Sequence, residues 1–215
     1  MDEVKNQFVM NKDQEPIERR ADELRAELLK SDHHQLAFVT NTSYKEESGK
    51  AGFFEFPFWG NPVQLSCEDF IARDTVSNKA LPPIHQATIL YYFYSSKGSP
   101  PAGSWISFSE LEDGQFYNKA FLGYTANKLL QHFSTNYQAF DDGCQALCGE
   151  KTSFGDGAFR FQILPRVAIL AVYWKGDDEF PPSYKILFED TADYHLPTDV
   201  CAILASMLTG KLMAD

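Results

Sequence analysis

The stretch from Ala158 to Leu196 limits what this chain can fold into more than any other. An apolar run from Phe159 to Leu164 stops at Pro165, and a second runs from Val167 to Trp174. Lys175-Gly176-Asp177-Asp178-Glu179 then makes an acidic turn, and Tyr184 to Phe188 returns. Short apolar runs bounded by turn residues read as strands, so the stretch predicts an antiparallel hairpin over about 158–188 with its turn residues at the ends of a sheet.

The segments around it read mostly as helices. Ile17, Ala21, Leu24 and Leu28 recur at helical spacing behind Pro16, predicting an amphipathic helix to about Lys30 with His33-His34 at its exit. Phe53 to Leu65 is ring-rich, and Gly60-Asn61 marks a turn between two short strands, with Pro57 placing an edge or a bulge. Cys67 to Pro83 reads as a loop and Ile84 to Tyr94 as a buried helix, ended by Gly98, Pro100, Pro101 and Gly103. Trp105 to Phe108 alternates as a short strand, and Asp113-Gly114 is a turn. Helical patterns then cover Gln115 to Phe133 and Thr135 to Cys148, a glycine-punctuated loop spans 149–157, and Thr198 or Asp199 is placed to cap a helix from Val200 to Met213. The expected class is α+β: a flexible arm over 1–15, then a single domain over 16–215 in which an antiparallel sheet packs against several helices.

Charge and composition narrow the functions. A formal charge of -11 argues against nucleic acid, because gripping phosphates needs clustered Lys and Arg. No apolar run approaches the roughly 18 residues of a membrane span, and the start has no apolar secretion core, so a cytoplasmic protein is expected. Cys67, Cys144, Cys148 and Cys201 are too sparse for a disulfide scaffold and read as free thiols. Cys144 and Cys148 share a helical face, but at a spacing wider than the two-residue gaps of zinc and iron–sulfur sites.

Three groups of residues carry candidate chemistry. Asp177, Asp178 and Glu179, with Asp156 or Asp190, offer carboxylates to a hard cation or a proton-sharing pair, although consecutive charged residues also make ordinary solvated turns. His132 and His195 flank the ring-rich segments and can act as bases or as axial ligands. Phe53, Phe56, Trp59, Trp105, Phe108, Tyr117 and Trp174 can line an apolar wall, or simply fill the core. There is no Gly-x-Ser-x-Gly elbow, and Gly149-Glu150-Lys151-Thr152 lacks the earlier glycine of a phosphate loop.

Several phrases carry a resemblance. Trp105-Ile106-Ser107-Phe108-Ser109-Glu110-Leu111, Asp113-Gly114-Gln115-Phe116-Tyr117, Gly155-Asp156-Gly157-Ala158, Leu164-Pro165-Arg166-Val167, Trp174 to Pro182 and Ile186-Leu187-Phe188 stand in one order from about Ala80 to the C-terminus. They resemble the family labelled domain of unknown function 3786, and the phrase from Trp174 to Pro182 is the most specific. The resemblance implies an uncharacterised protein of anaerobic bacteria and archaea, some of whose relatives are joined to an iron–sulfur domain, and a setting in corrinoid, iron–sulfur or one-carbon metabolism. This chain has no cysteine-rich ferredoxin-like segment, and the family supplies no catalytic residue to carry over.

Three readings follow. The first is a noncatalytic cofactor-binding or accessory protein that holds a corrinoid or other tetrapyrrole with Trp59, Trp105, Phe108, Tyr117, His132, Trp174 and His195, and serves a partner enzyme of anaerobic metabolism. The second is a metal-assisted enzyme using Asp156, Asp177 and Glu179. The third is an acidic interaction module for a basic partner.

Overall fold

The computed structural model describes residues 14–47 and 49–214. The arm read over 1–15 therefore lies almost wholly outside the described residues. No helix among them is long and apolar enough to cross a membrane. The chain divides into two compact units, one holding the described residues up to Phe56 with Pro62–Tyr94, the other holding Pro57–Asn61 with Ser95 onward.

The first unit carries helices α1 (Gln14–Leu28), α2 (His33–Thr40) and α3 (Pro83–Ser95) and a four-stranded sheet in the order β1 (Ser43–Glu47), β2 (Lys50–Phe58), β3 (Asn61–Ser66), β4 (Ala72–Asp74). Helical spacing on α1 does bury Ala21, Leu24 and Leu28. The histidine pair opens a helix instead of trailing one, because the Asp32 carboxylate accepts the Gln35 N–H and caps α2. The β2–β3 turn falls one residue earlier than expected, on Trp59 and Gly60 at φ 51 and 73, the left-handed pair that a two-residue hairpin turn requires. Pro57 sits on an interior strand without harm, since pairing with β1 ends at Glu55. A three-residue strand, β4, interrupts the expected loop.

The second unit is organised by a five-stranded antiparallel sheet in the order β5 (Trp105–Ser107), β9 (Ser183–Glu189), β8 (Val167–Trp174), β7 (Gly157–Leu164), β6 (Glu150–Thr152). The hairpin expectation and the α+β class hold, and β8 has the bounds read from sequence. Alternation divides the rings between the faces. Phe159, Tyr173, Tyr184 and Phe188 meet rings of the helices α4 (Gly114–Tyr124), α5 (Ala126–Phe133) and α6 (Tyr137–Ala146), as in the 5.2 Å pair of Phe140 and Tyr184. On the other face Ala158, Leu170, Val172 and Leu187 form a cluster under Trp105. The single helix read over 115–133 is two, because Thr125 (φ -120, ψ -95) leaves helical backbone between α4 and α5. The last helix, α7 (Thr198–Leu212), starts directly after Pro197, so Thr198 and Asp199 fall inside its first turn, where the Asp199 carboxylate accepts Val200 N–H at 2.9 Å.

One buried charge ties α6 to β6. The Asp141 carboxylate accepts from Tyr137 Oη at 2.8 Å, from Lys151 Nζ at 2.6 Å and from the Gln145 amide. The Lys151 hydrogen bond is the main cause that holds the Asp141 carboxyl below its ordinary value. Its contribution is present at neutral pH and is lost as pH falls through that lowered value. Asp141→Ala is expected to destabilise the second unit by about 1.5–2 kcal/mol. Urea unfolding followed by tryptophan fluorescence checks this, because Trp59, Trp105 and Trp174, all three tryptophans of the chain, belong to that unit.

Candidate functional site

The sheet of the second unit has two ends, and register sorts the candidate residues between them. Trp105 stands opposite Glu189, at the carboxyl end of β9, whereas Trp174 stands opposite Ser183 at its start. Six residues of strand separate the ends by about 20 Å.

At the first end the Ser95–Ser104 loop, the exit of β9 and the β7–β8 turn come together. The buried Glu189 carboxylate accepts Gly103 N–H at 2.7 Å, Asp190 N–H donates to Ser104 O at 3.1 Å, and Ser104 Oγ donates back to the Asp190 carboxylate. Lys97 N–H donates to Tyr194 O at 3.0 Å, and Lys97 Nζ lies 5.4 Å from the Tyr194 ring centre. A 3-10 turn, Ala192–Tyr194, delivers His195 into the interior. His195 Nε2 stands 2.9 Å from Ser99 O, and a carbonyl only accepts, so Nε2 carries the proton and Nδ1 faces the Ser96 hydroxyl at 3.3 Å. Burial pushes the imidazole down to about 4, the bond to Ser99 opposes this, and the Arg166 charge adds to it.

This node also contains a concentration of unpaired acceptors. Among the described residues, four enclosed side-chain polar atoms have no hydrogen-bond partner, and three of them are Asp190 Oδ1, Thr191 Oγ1 and Asp193 Oδ1. The fourth, Trp59 Nε1, belongs to a residue whose N–H donates to Ile163 O at 3.0 Å, at the same end of the sheet. Enclosed oxygens are nearly always paired, so three within four residues mark a place where a donor is missing.

The other candidates lie elsewhere. Phe108 is core, stacked on Phe121 at 4.1 Å, while Tyr117 projects from α4 at 67% exposure. His132 lies exposed at the end of α5 with its ring edge-on to Phe133 at 4.6 Å. Phe53 and Phe56 belong to the first unit. Trp174 is at the second end of the sheet with Asp156, Asp177 and Glu179, and two of those carboxylates are occupied by backbone: Asp156 accepts from Lys175 N–H, and Asp177 from Glu179 and Phe180 N–H. Among the described residues no three His, Cys, Asp or Glu side chains gather as a cation site. All four cysteines are free, and burial raises the thiols of Cys67, Cys144 and Cys201. In the first unit a cleft of about 240 Å³ is lined by Ala21, Arg25 and Gln86 among others, but the Gln86 amide is already bonded to both backbone atoms of Ala72.

A family model described as Domain of unknown function (DUF3786) matches residues 32–211. The chain belongs to that family. No curated protein and no solved structure matches it.

Of the residues named for this DUF3786 protein from sequence, this end of the sheet takes in His195, Trp105, Asp190 and Trp59. Glu189, Thr191, Asp193, Ser96 and Ser99 are not among the candidates, and Arg166 enters only within the phrase Leu164-Pro165-Arg166-Val167. One signal was there: Glu189-Asp190-Thr191-Ala192-Asp193-Tyr194-His195 places five ionisable side chains directly after the apolar Ile186–Phe188, with no glycine or proline to turn them into solvent.

Proposed function

We propose that this DUF3786 protein is a noncatalytic cofactor-binding or accessory protein whose ligand is held at the node between the Ser95–Ser104 loop and the Glu189–His195 segment. The single observation behind the reading is the trio of enclosed, unpaired acceptors on Asp190, Thr191 and Asp193. Such oxygens suit a ligand rich in N–H or O–H donors. A corrinoid, which carries primary amides around its rim, is the ligand class proposed, in the setting of anaerobic metabolism that the family resemblance implies and in the cytoplasm. The rim amides fit the acceptors. The metal's axial position fits less well, because both His195 nitrogens are engaged by Ser96 and Ser99. The noncatalytic form is supported by the same groups: the buried thiols are held protonated and the imidazole is tied at both nitrogens, which leaves neither primed as nucleophile or base. Access requires the loop to lift, and Gly98 and Gly103, at φ 80 and 82, bracket the part that would move.

Equilibrium dialysis of the full-length protein against hydroxocobalamin, read as retained cobalt, tests this. Retention at micromolar protein is expected, and Thr191→Val is expected to weaken it about tenfold, the worth of one hydrogen bond to a buried group. The same substitution should leave stability unchanged or slightly higher, because it removes a hydroxyl that has no partner in the folded protein. No retained cobalt, or equal retention by the variant, would overturn the reading.

A further inference from the structure

The second end of the sheet carries a feature independent of the node. Asp156 clamps the end of β8 from two sides, donating its N–H to Tyr173 O at 3.1 Å and accepting Lys175 N–H on its carboxylate at 2.7 Å. Gly155, at φ +59, lies so close to the strand that a Cβ there would stand 2.8 Å from Val172 Cγ1 and 3.3 Å from Trp174 Cε2. The next turn is closed by Asp177, whose N–H donates to Phe180 O at 2.8 Å and whose carboxylate accepts from Glu179 N–H at 2.9 Å and Phe180 N–H at 2.7 Å. Gly176 packs against Pro182, where a Cβ would meet the ring nitrogen at 2.6 Å. The segment 174–182 is thus pinned by its own hydrogen bonds and close approaches.

What this pinned segment displays does not serve the core. Phe180 is 67% exposed, and Trp174 and Phe154, in edge contact at 6.3 Å, are 38% and 36% exposed. Beside them the exposed carboxylates of Asp178 and Glu179 have no ion-pair partner among the described residues. Exposed rings on a preorganised backbone are what binding surfaces use, because little ordering cost remains at association. Unpaired carboxylates next to them select the partner's charge.

We propose that this end of the sheet docks a basic segment of a partner protein, apolar side chains against Phe154, Trp174 and Phe180, and arginine or lysine on Asp178 and Glu179. Lys185 Nζ already lies 6.0 Å from the Trp174 ring centre, which directs the partner's cations to the acidic turn and its apolar groups to the rings. The net charge of -11 steers such a segment in and repels polyanions.

The probe is a fluorescein-tagged peptide alternating leucine and arginine, titrated by anisotropy against the full-length protein, with a leucine–glutamate peptide as control. Binding of the arginine peptide alone is expected, weakening as ionic strength rises from about 50 to about 300 mM. Asp178→Asn with Glu179→Gln, and separately Phe180→Ser, should each weaken it about tenfold, the equivalent of 1.4 kcal/mol. Glu55→Gln with Glu68→Gln, which removes two exposed carboxylates of the first unit, should leave it within about twofold. Equal losses in all variants would reduce the effect to net charge and overturn the proposal. So would no binding, equal binding of both peptides, or uptake of the protein by neutral lipid vesicles through the exposed rings.

Discussion

Gly114→Ala will destabilise the second unit by about 3 kcal/mol, the upper range for inserting a methyl group into packed backbone. Gly114 is the buried first residue of α4, and a Cβ on it would lie 1.9 Å from Phe108 O, a main-chain atom that cannot rotate away. The absent side chain lets α4 settle on the Phe108–Glu110 turn, and seven residues along the helix Phe121 then stacks on Phe108 with the rings 5° from parallel. Lifting the helix to admit the methyl pulls that stack apart, so the cost spreads into the rings that meet Phe188. The control sits in the same helix. Gly123 has nothing within 4 Å of a would-be Cβ, and Gly123→Ala is expected to stabilise by about 0.5–1 kcal/mol through helix propensity alone. Urea midpoints from tryptophan fluorescence should move in opposite directions, and a shift of both in one direction would show that the Phe108 carbonyl does not set the position of α4.

Gly114 also shows where sequence reading stops. In the chain it is half of an Asp113-Gly114 turn signal, and nothing local says that a carbonyl six residues back occupies the space of its missing side chain. The apolar run of β8 was readable because a strand buried on both faces needs no alternation, only length and boundaries, and Pro165 and Gly176 supply both. Helices were readable where one face is wet, as on α1, and misjoined where a buried threonine breaks the backbone, as at Thr125. The site was harder to read. Rings attract notice in a sequence, yet most of them are here because they fill volume, as Phe108 does. The node depends on short polar residues from three separate segments, and register between β5 and β9 brings them together only in three dimensions.

His195 gives the node a signature in acid. With an unfolded value near 6.5 and a folded value of about 4, the ring is neutral in both states above pH 6.5 and adds no pH dependence there. Below 6.5 the unfolded chain takes up a proton that the folded protein refuses, so stability falls as pH drops and levels off under about 4. Between pH 7 and 4.5 the loss comes to about 2–3 kcal/mol, at 1.36 kcal/mol for each unit of displaced titration. The groups facing the ring make the refusal firm: Arg166 Nη1 reaches the same Ser99 carbonyl at 3.5 Å, so a charged imidazole would stand beside a second cation, with Nδ1 facing the Ser96 hydroxyl. Carboxylates such as Asp141 and Asp177, held below their ordinary values, lose their contributions mostly at lower pH, so the window belongs chiefly to the histidine. His195→Gln removes the titrating group and keeps an amide able to donate to Ser99 O. It should flatten stability between pH 7 and 4.5 while lowering it at pH 7, and an unchanged slope in urea unfolding would mean that the ring titrates as if exposed and that the loop does not close over it.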